Sequence, residues 1–279
     1  MAPTYLTTLS AFTQFLTVYT HSLLYLRALY PRTSFLRARF YNTPIYQSRV
    51  PSVCTWILDA VTAVHDELAK GTVARIAIVV FHASSKDDKS QGTGSVQVLE
   101  RFLLDVKWAK TEEERQQAAE KAAADREEAK DDDEGERPED LGAEADPNLA
   151  EQFRAALITL TTRVSRLAPL PAGCSFNISM ELKDEADIHP PMEHPQRWVP
   201  VQPSLQKTGR KGAEGVEHGS ETKGRSEGED LGGAKVTPIR TVEVGVFRFE
   251  TWIEEGKAKF ETKTPSQAPS KDSPESSKG

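Results

Sequence analysis

The sequence predicts an α+β fold in which helices lie on a β-sheet within one domain broken by long insertions. Three observations predict it. Stretches with apolar residues at helical spacing are interspersed with short β-branched runs. Only 38% of the 279 residues are apolar, low for a chain packed throughout. The polar excess is gathered into three stretches totalling 96 residues, which leaves 183 for a core and suits one domain better than two.

The elements follow in order. Leu9, Phe12, Phe15, Leu16, Tyr19, Leu23, Leu26 and Tyr30 recur at helical spacing until Pro31. Ser52 reads as the N-cap of a second helix carried by Val53, Trp56, Ile57, Ala60, Val61, Val64 and Leu68, with Gly71 as its stop. Residues 74–81 (ARIAIVVF) read as a strand buried on both faces. Residues 96–106 (VQVLERFLLDV) read as the next strand, across a polar turn. A third helix over 149–167 puts Phe153, Leu157, Leu160, Val164 and Leu167 on one face. Residues 175–182 alternate as a half-buried strand, and 241–253 (TVEVGVFRFETWI) have strong β character.

The three polar stretches read as disordered. Residues 107–147 hold 16 acidic and 7 basic side chains and almost no large apolar ones. Residues 204–235 contain eight glycines and no aromatic residue, and 257–279 form a Ser/Lys/Pro-rich tail. The domain is therefore expected over 1–256, with 107–147 and 204–235 as insertions.

Charge narrows the function classes. The chain carries a net −7, which argues against bulk nucleic-acid binding. The first 58 residues, however, contain no acidic side chain against Arg27, Arg32, Arg37, Arg39 and Arg49. These arginines read first as covered by protein or paired with acids elsewhere, since no basic cluster is interleaved with exposed aromatics. Phosphate contact is the alternative. An acid-free start also fits a mitochondrial presequence, but no arginine precedes Arg27 and the helix is too apolar. No run approaches the roughly 18 apolar residues of a membrane-spanning helix.

No catalytic motif is present: neither G-x-x-x-x-G-K-[ST], nor G-x-S-x-G, nor H-E-x-x-H. His189 and His194 lack a third ligand nearby and read as loop imidazoles. Cys54 and Cys174 read as buried free thiols. No enzyme activity, cofactor or metal is expected.

The opening segment is more specific. FLTVYTHSLLYLRALYP (15–31), followed by Phe35, Arg39, Tyr41-Asn42-Thr43-Pro44 and Ser48, resembles the beginning of HORMA-domain proteins. Within them it is most similar to accessory subunits of translesion DNA polymerase zeta. ARIAIVVF, AEQFRAALITL (150–160), PAGCSFNISMEL (171–182) and VTPIRTVEVGVFRFETWIEE (236–255) continue the resemblance in order.

The resemblance implies a single HORMA domain: a three-helix layer on a sheet, with a C-terminal safety belt, here about 181–255, that closes over a partner peptide. It implies a non-enzymatic adaptor in the nucleus, with the cytoplasm as a second compartment. The adaptor traps a Pro-containing peptide of the polymerase zeta catalytic subunit and bridges it to the C-terminal part of the inserting polymerase, touching nucleic acid only indirectly. Trp56 and Trp198 match positions that hold the peptide, with core packing as the competing reading for Trp56. Val236, Glu250 and Trp252 occupy the positions of the second-partner surface, where animal members carry Leu, an amide residue and Tyr, so hydrophobicity is kept at two and an acid replaces the amide. Period-2 alternation in 247–253 places Trp252 on the face of Arg248 and Glu250, where it is expected at the surface. Arg154 matches a contact between HORMA protomers, in homo- or heterodimers. The alternatives are a checkpoint or meiotic-axis HORMA adaptor, and a DNA-binding protein using the Arg27–Arg49 cluster.

Overall fold

Helix α1 spans Tyr5–Leu26, and its buried residues are not confined to one stripe. Phe12, Phe15, Tyr19 and Leu23 are fully buried, and Leu9, Thr20, His21 and Leu24 are buried on its other faces. A helix covered nearly all round has to lie between layers, and α1 sits at the centre of the domain. Most of its buried polar groups find partners inside, while the Ser22 hydroxyl finds none among the described residues. The Thr20 hydroxyl donates to the Leu16 carbonyl at 2.8 Å, the hydroxyls of Tyr19 and Thr251 lie 3.3 Å apart, and the Ser48 N–H donates to His21 Nδ1 at 3.3 Å. The helix ends before Pro31, because Ala28 turns into the left-handed region at φ 51. Tyr30 therefore lies beyond it.

The computed structural model describes residues 5–83, 96–108, 147–183, 198, 235–244 and 247–261. After α1, strands β1 (Phe35–Phe40) and β2 (Thr43–Ser48) form an antiparallel hairpin. Its two-residue loop, Tyr41-Asn42, has φ 44 and 58, both positive as a type I′ turn requires. Helix α2 (Pro51–Lys70) starts one residue before the expected Ser52 cap. Val50 is the N-cap and, with no acceptor on its side chain, makes no cap bond, while Pro51 supplies the first helical φ and brings no N–H that would need an acceptor. Gly71 ends the helix as expected, at φ 76, with its N–H on the Glu67 and Leu68 carbonyls.

The main sheet has five antiparallel strands in the order β5-β3-β4-β7-β6. They are β3 (Val73–Ala83), β4 (Val96–Trp108), β5 (Cys174–Leu182), β6 (Lys235–Val244) and β7 (Phe247–Glu255). The β-rich C-terminal stretch is thus a hairpin rather than one strand. Helix α3 (Pro147–Val164) joins α1 and α2 in the layer over one sheet face, and a short helix α4 (Ala258–Glu261) follows β7. Between sheet and helices lies one aromatic-rich core. Phe15 stacks on Phe153 at 4.5 Å, and Phe12 meets Phe247 edge-to-face at 5.1 Å. The α+β layering is as the sequence predicts.

The insertion boundaries shift inward. Lys107 and Trp108 extend β4, Pro147 opens α3, Lys235 opens β6, and Lys257 to Glu261 continue the ordered chain past β7. The remainder of 107–147, 204–235 and 257–279 lies outside the described residues.

Candidate partner-binding sites

Strand β5 is an edge: it pairs with β3 on one side and with no described strand on the other. Phe176, Ile178 and Met180 turn towards the helices, while Ser175, Asn177 and Ser179 alternate with them on the opposite face. Trp56, on α2, is half-buried and meets Phe176 edge-to-face at 5.0 Å. It stands beside the open edge, where an added strand would gain main-chain hydrogen bonds. β6, by contrast, is the opposite edge. The connection 183–234 therefore passes from one edge to the other, about 19 Å at four strand spacings. Trp198 lies in this connection, half-buried and packed against the main core.

Val236, Glu250 and Trp252 come together on the sheet face turned away from the helices. Trp252 is not at the surface as expected. It is 7% exposed and forms a second, small cluster with Ala77 and Leu103, flanked by Val79 and Val236. The alternation places it on the expected face, but the charged residues sharing that face hold one another rather than water. Arg101 Nε donates to Glu254 at 2.8 Å, with both side chains buried. The indole N–H of Trp252 donates to the other oxygen of the same carboxylate at 3.1 Å. The Arg75 guanidinium lies 5.2 Å from the Trp252 ring. Glu250 remains half-exposed and pairs with Arg248.

Arg154 is on α3 and pairs with Glu151 one turn away at 2.6 Å, both at the surface. The Cys54 thiol donates to the Ser48 carbonyl and Cys174 to that of Pro171. Both are free but half-buried rather than buried as expected, and burial raises the pKa of each, which disfavours the thiolate. His189 and His194 lie outside the described residues. Among the described residues, no group of three or more His, Cys, Asp or Glu could hold a metal.

Arg27 leaves the basic run altogether: it is buried and bonded to Glu100. Glu100 also accepts from Lys259 of α4, which bonds Glu255 as well. Sequence reasoning missed this cluster, having assigned Lys259 to the tail. The one available signal is the alternating run FRFETWI before it, which requires an ordered end to β7 but says nothing of a buried lysine.

A profile of the HORMA domain matches residues 8–209. This chain belongs to the HORMA domain family. Among curated relatives, a "DNA polymerase zeta processivity subunit" of Schizosaccharomyces pombe is 25% identical over 247 residues, covering 87% of this chain and 90% of that one. The Arabidopsis thaliana protein of the same name is 24% identical, covering 64% of this chain and 65% of that one. The mouse "Mitotic spindle assembly checkpoint protein MAD2A" is 22% identical, covering 64% and 68%. Among solved structures, a chain of the mitotic checkpoint complex superposes with a TM-score of 0.54 at 16% identity, over 88% of this chain and 96% of that one. C. elegans HTP-2 bound to the HIM-3 closure motif gives 0.50 at 13%, over 88% and 89%. These two establish the likeness of fold. For this HORMA domain, neither the family nor the names of its relatives point to an enzymatic family.

Proposed function

We propose that this chain is a non-enzymatic adaptor subunit of DNA polymerase zeta, acting in translesion synthesis in the nucleus. The S. pombe relative carries the reading, because its similarity runs along nearly the whole of both chains. The adaptor traps a Pro-containing peptide of the catalytic subunit as an added strand on β5, under a belt formed by 181–255. The open β5 edge, the connection crossing to β6 and the aromatic Trp56 beside Phe176 support this. Trp56 and Trp198 are the anchors: large rigid aromatics bury much area at low entropic cost. The inserting polymerase docks on the opposite sheet face at Val236 and Glu250, with Trp252 beneath them supporting the surface. Arg154 contributes to contacts between HORMA protomers once released from Glu151.

A checkpoint or meiotic-axis adaptor is the second reading, supported by the mouse relative. It uses the same edge for other peptides. The deciding experiment is co-purification of the full chain with the catalytic subunit of polymerase zeta, followed by hydrogen exchange to map the bound segment. Protection of one Pro-containing segment is expected. A chain that ignores this subunit but captures a checkpoint or axis peptide belongs to the second reading.

A further inference from the structure

We infer that the outer face of the β1–β2 hairpin is a docking surface for single-stranded nucleic acid. Arg32, Arg37 and Arg39 are exposed, and among the described residues no carboxylate pairs with any of them. Their own segment cannot supply one, since the first acidic residue of the chain is Asp59. Arg37 and Arg39 project from one face of β1, about 6.6 Å apart along the strand. Arg37 stands directly across from Tyr46 on β2. Tyr46 stacks on Tyr25 at 3.5 Å with 10° between the rings, and the Arg32 guanidinium lies 5.2 Å from the Tyr25 centroid. The other hairpin face holds Ala38, Phe40 and Ile45 against the core, and although Phe35 at the start of the basic face is itself buried, Arg37 and Arg39 beyond it reach solvent.

The arrangement supplies what the sequence lacked, a basic cluster interleaved with aromatics. Guanidinium forks match phosphate oxygens in pairs, and the part of the half-buried Tyr46 ring that Tyr25 and the core leave uncovered offers a base a stacking surface. An acidic protein segment would satisfy the arginines but leave the tyrosine stack unused. Single-stranded nucleic acid uses both, because its bases are free to stack. The surface lies on the hairpin and not on β5, and its test does not depend on the peptide that edge takes. The net charge of −7 confines binding to this patch and makes it sensitive to salt.

The test is fluorescence anisotropy of the full chain with a labelled oligothymidylate of about 20 nucleotides, between about 50 and 200 mM salt. Arg37→Glu with Arg39→Glu should weaken binding at least about tenfold at the lower salt. Arg37→Gln with Arg39→Gln should lower the log–log salt slope by about 1.4, two contacts at about 0.7 each. Tyr46→Leu should weaken binding severalfold and leave the slope unchanged. Thermal melts should show each variant folded. The exposed Arg166→Glu, on another element, should change nothing. The inference is overturned if the wild-type chain shows no salt-dependent binding, or if the double variants bind as it does. Equal weakening by Arg166→Glu, or displacement of the oligonucleotide by polyglutamate as readily as by unlabelled oligonucleotide, overturns it too.

Discussion

Arg27 donates two hydrogen bonds to Glu100 inside the protein, Nε to Oε2 at 2.8 Å and Nη2 to Oε1 at 2.7 Å, across 73 positions of the chain. Its Nη2 also donates to the Ala168 carbonyl at 2.8 Å, past the end of α3. Lys259 completes the cluster by bonding Glu100 and Glu255. Among the buried side chains two cations face two anions, with the exposed Lys235 also 3.7 Å from Glu255, and the group ties the segment after α1 to β4, β7 and α4. Such a cluster adds little stability over an apolar core of the same shape but is costly to break piecemeal. A C-terminal region that changes place on the sheet, as a moving belt requires, must first withdraw Glu255 and Lys259 from Arg27 and Glu100.

Among the described residues, Lys259→Ala leaves Glu100 with Arg27 alone and Glu255 with only the exposed Lys235, 3.7 Å away. It should lower unfolding stability by about 3 kcal/mol or more, measured by urea denaturation. Lys107→Ala, at an exposed site, should stay within about 0.5 kcal/mol. Equal, small effects would show that water reaches Lys259.

Acid should loosen the contact between α1 and the β1–β2 hairpin. Burial lowers the pKa of His21 from 6.5 to about 4, so its neutral ring accepts the Ser48 N–H. As pH falls, the unfolded chain takes up this proton first. The stabilisation is fully present above about 6.5 and is lost progressively towards 4, up to about 3 kcal/mol. His21→Gln retains an acceptor and does not titrate. Its stability should be lower at neutral pH and flatter between pH 6.5 and 4. Parallel curves for the two proteins would assign the acid sensitivity to other groups.

The order of helices and strands was legible because Phe12, Phe15 and Tyr19, or Ile76 and Ile78, mark a period that burial enforces. The β1–β2 hairpin was not, because Tyr41-Asn42 lacks the glycine that advertises a type I′ turn. The split of β6 from β7 was hidden by β character continuing through 241–253. At the candidate sites, alternation gave the correct face for Trp252 and the wrong exposure. A period reports direction, whereas Arg101 and Glu254 decide whether that direction leads to water. Lys259 could not be read at all, since its partners are Glu100 and Glu255, and only the fold brings Glu100 to it.

Trp56→Ala and Trp198→Ala should each weaken capture of the mapped polymerase peptide by about 2 kcal/mol or more. Calorimetric titration on folded protein checks this. The two differ in what else they disturb: Trp56 supports Phe176, so its loss should also destabilise the free domain modestly. A tryptophan whose removal leaves affinity unchanged packs the core and does not touch the peptide.

The second surface needs a variant that leaves the interior alone. Trp252→Ala would empty the Ala77–Leu103 cluster and take one donor from the buried Glu254 carboxylate. A loss of about 3 kcal/mol is expected from the cavity and the unmet acceptor together, so failure of partner binding in that variant carries no information about contact. Glu250 is better placed, being half-exposed and held only by Arg248 among the described ion pairs. Glu250→Lys should keep the thermal stability within about 1 kcal/mol, as surface substitutions do. It should abolish docking of the inserting polymerase while capture of the catalytic-subunit peptide on β5 persists, because two strands, β3 and β4, separate β7 from β5. A ternary binding assay reads both at once. If both partners are lost together in Glu250→Lys, they share one surface and the two-surface arrangement is wrong.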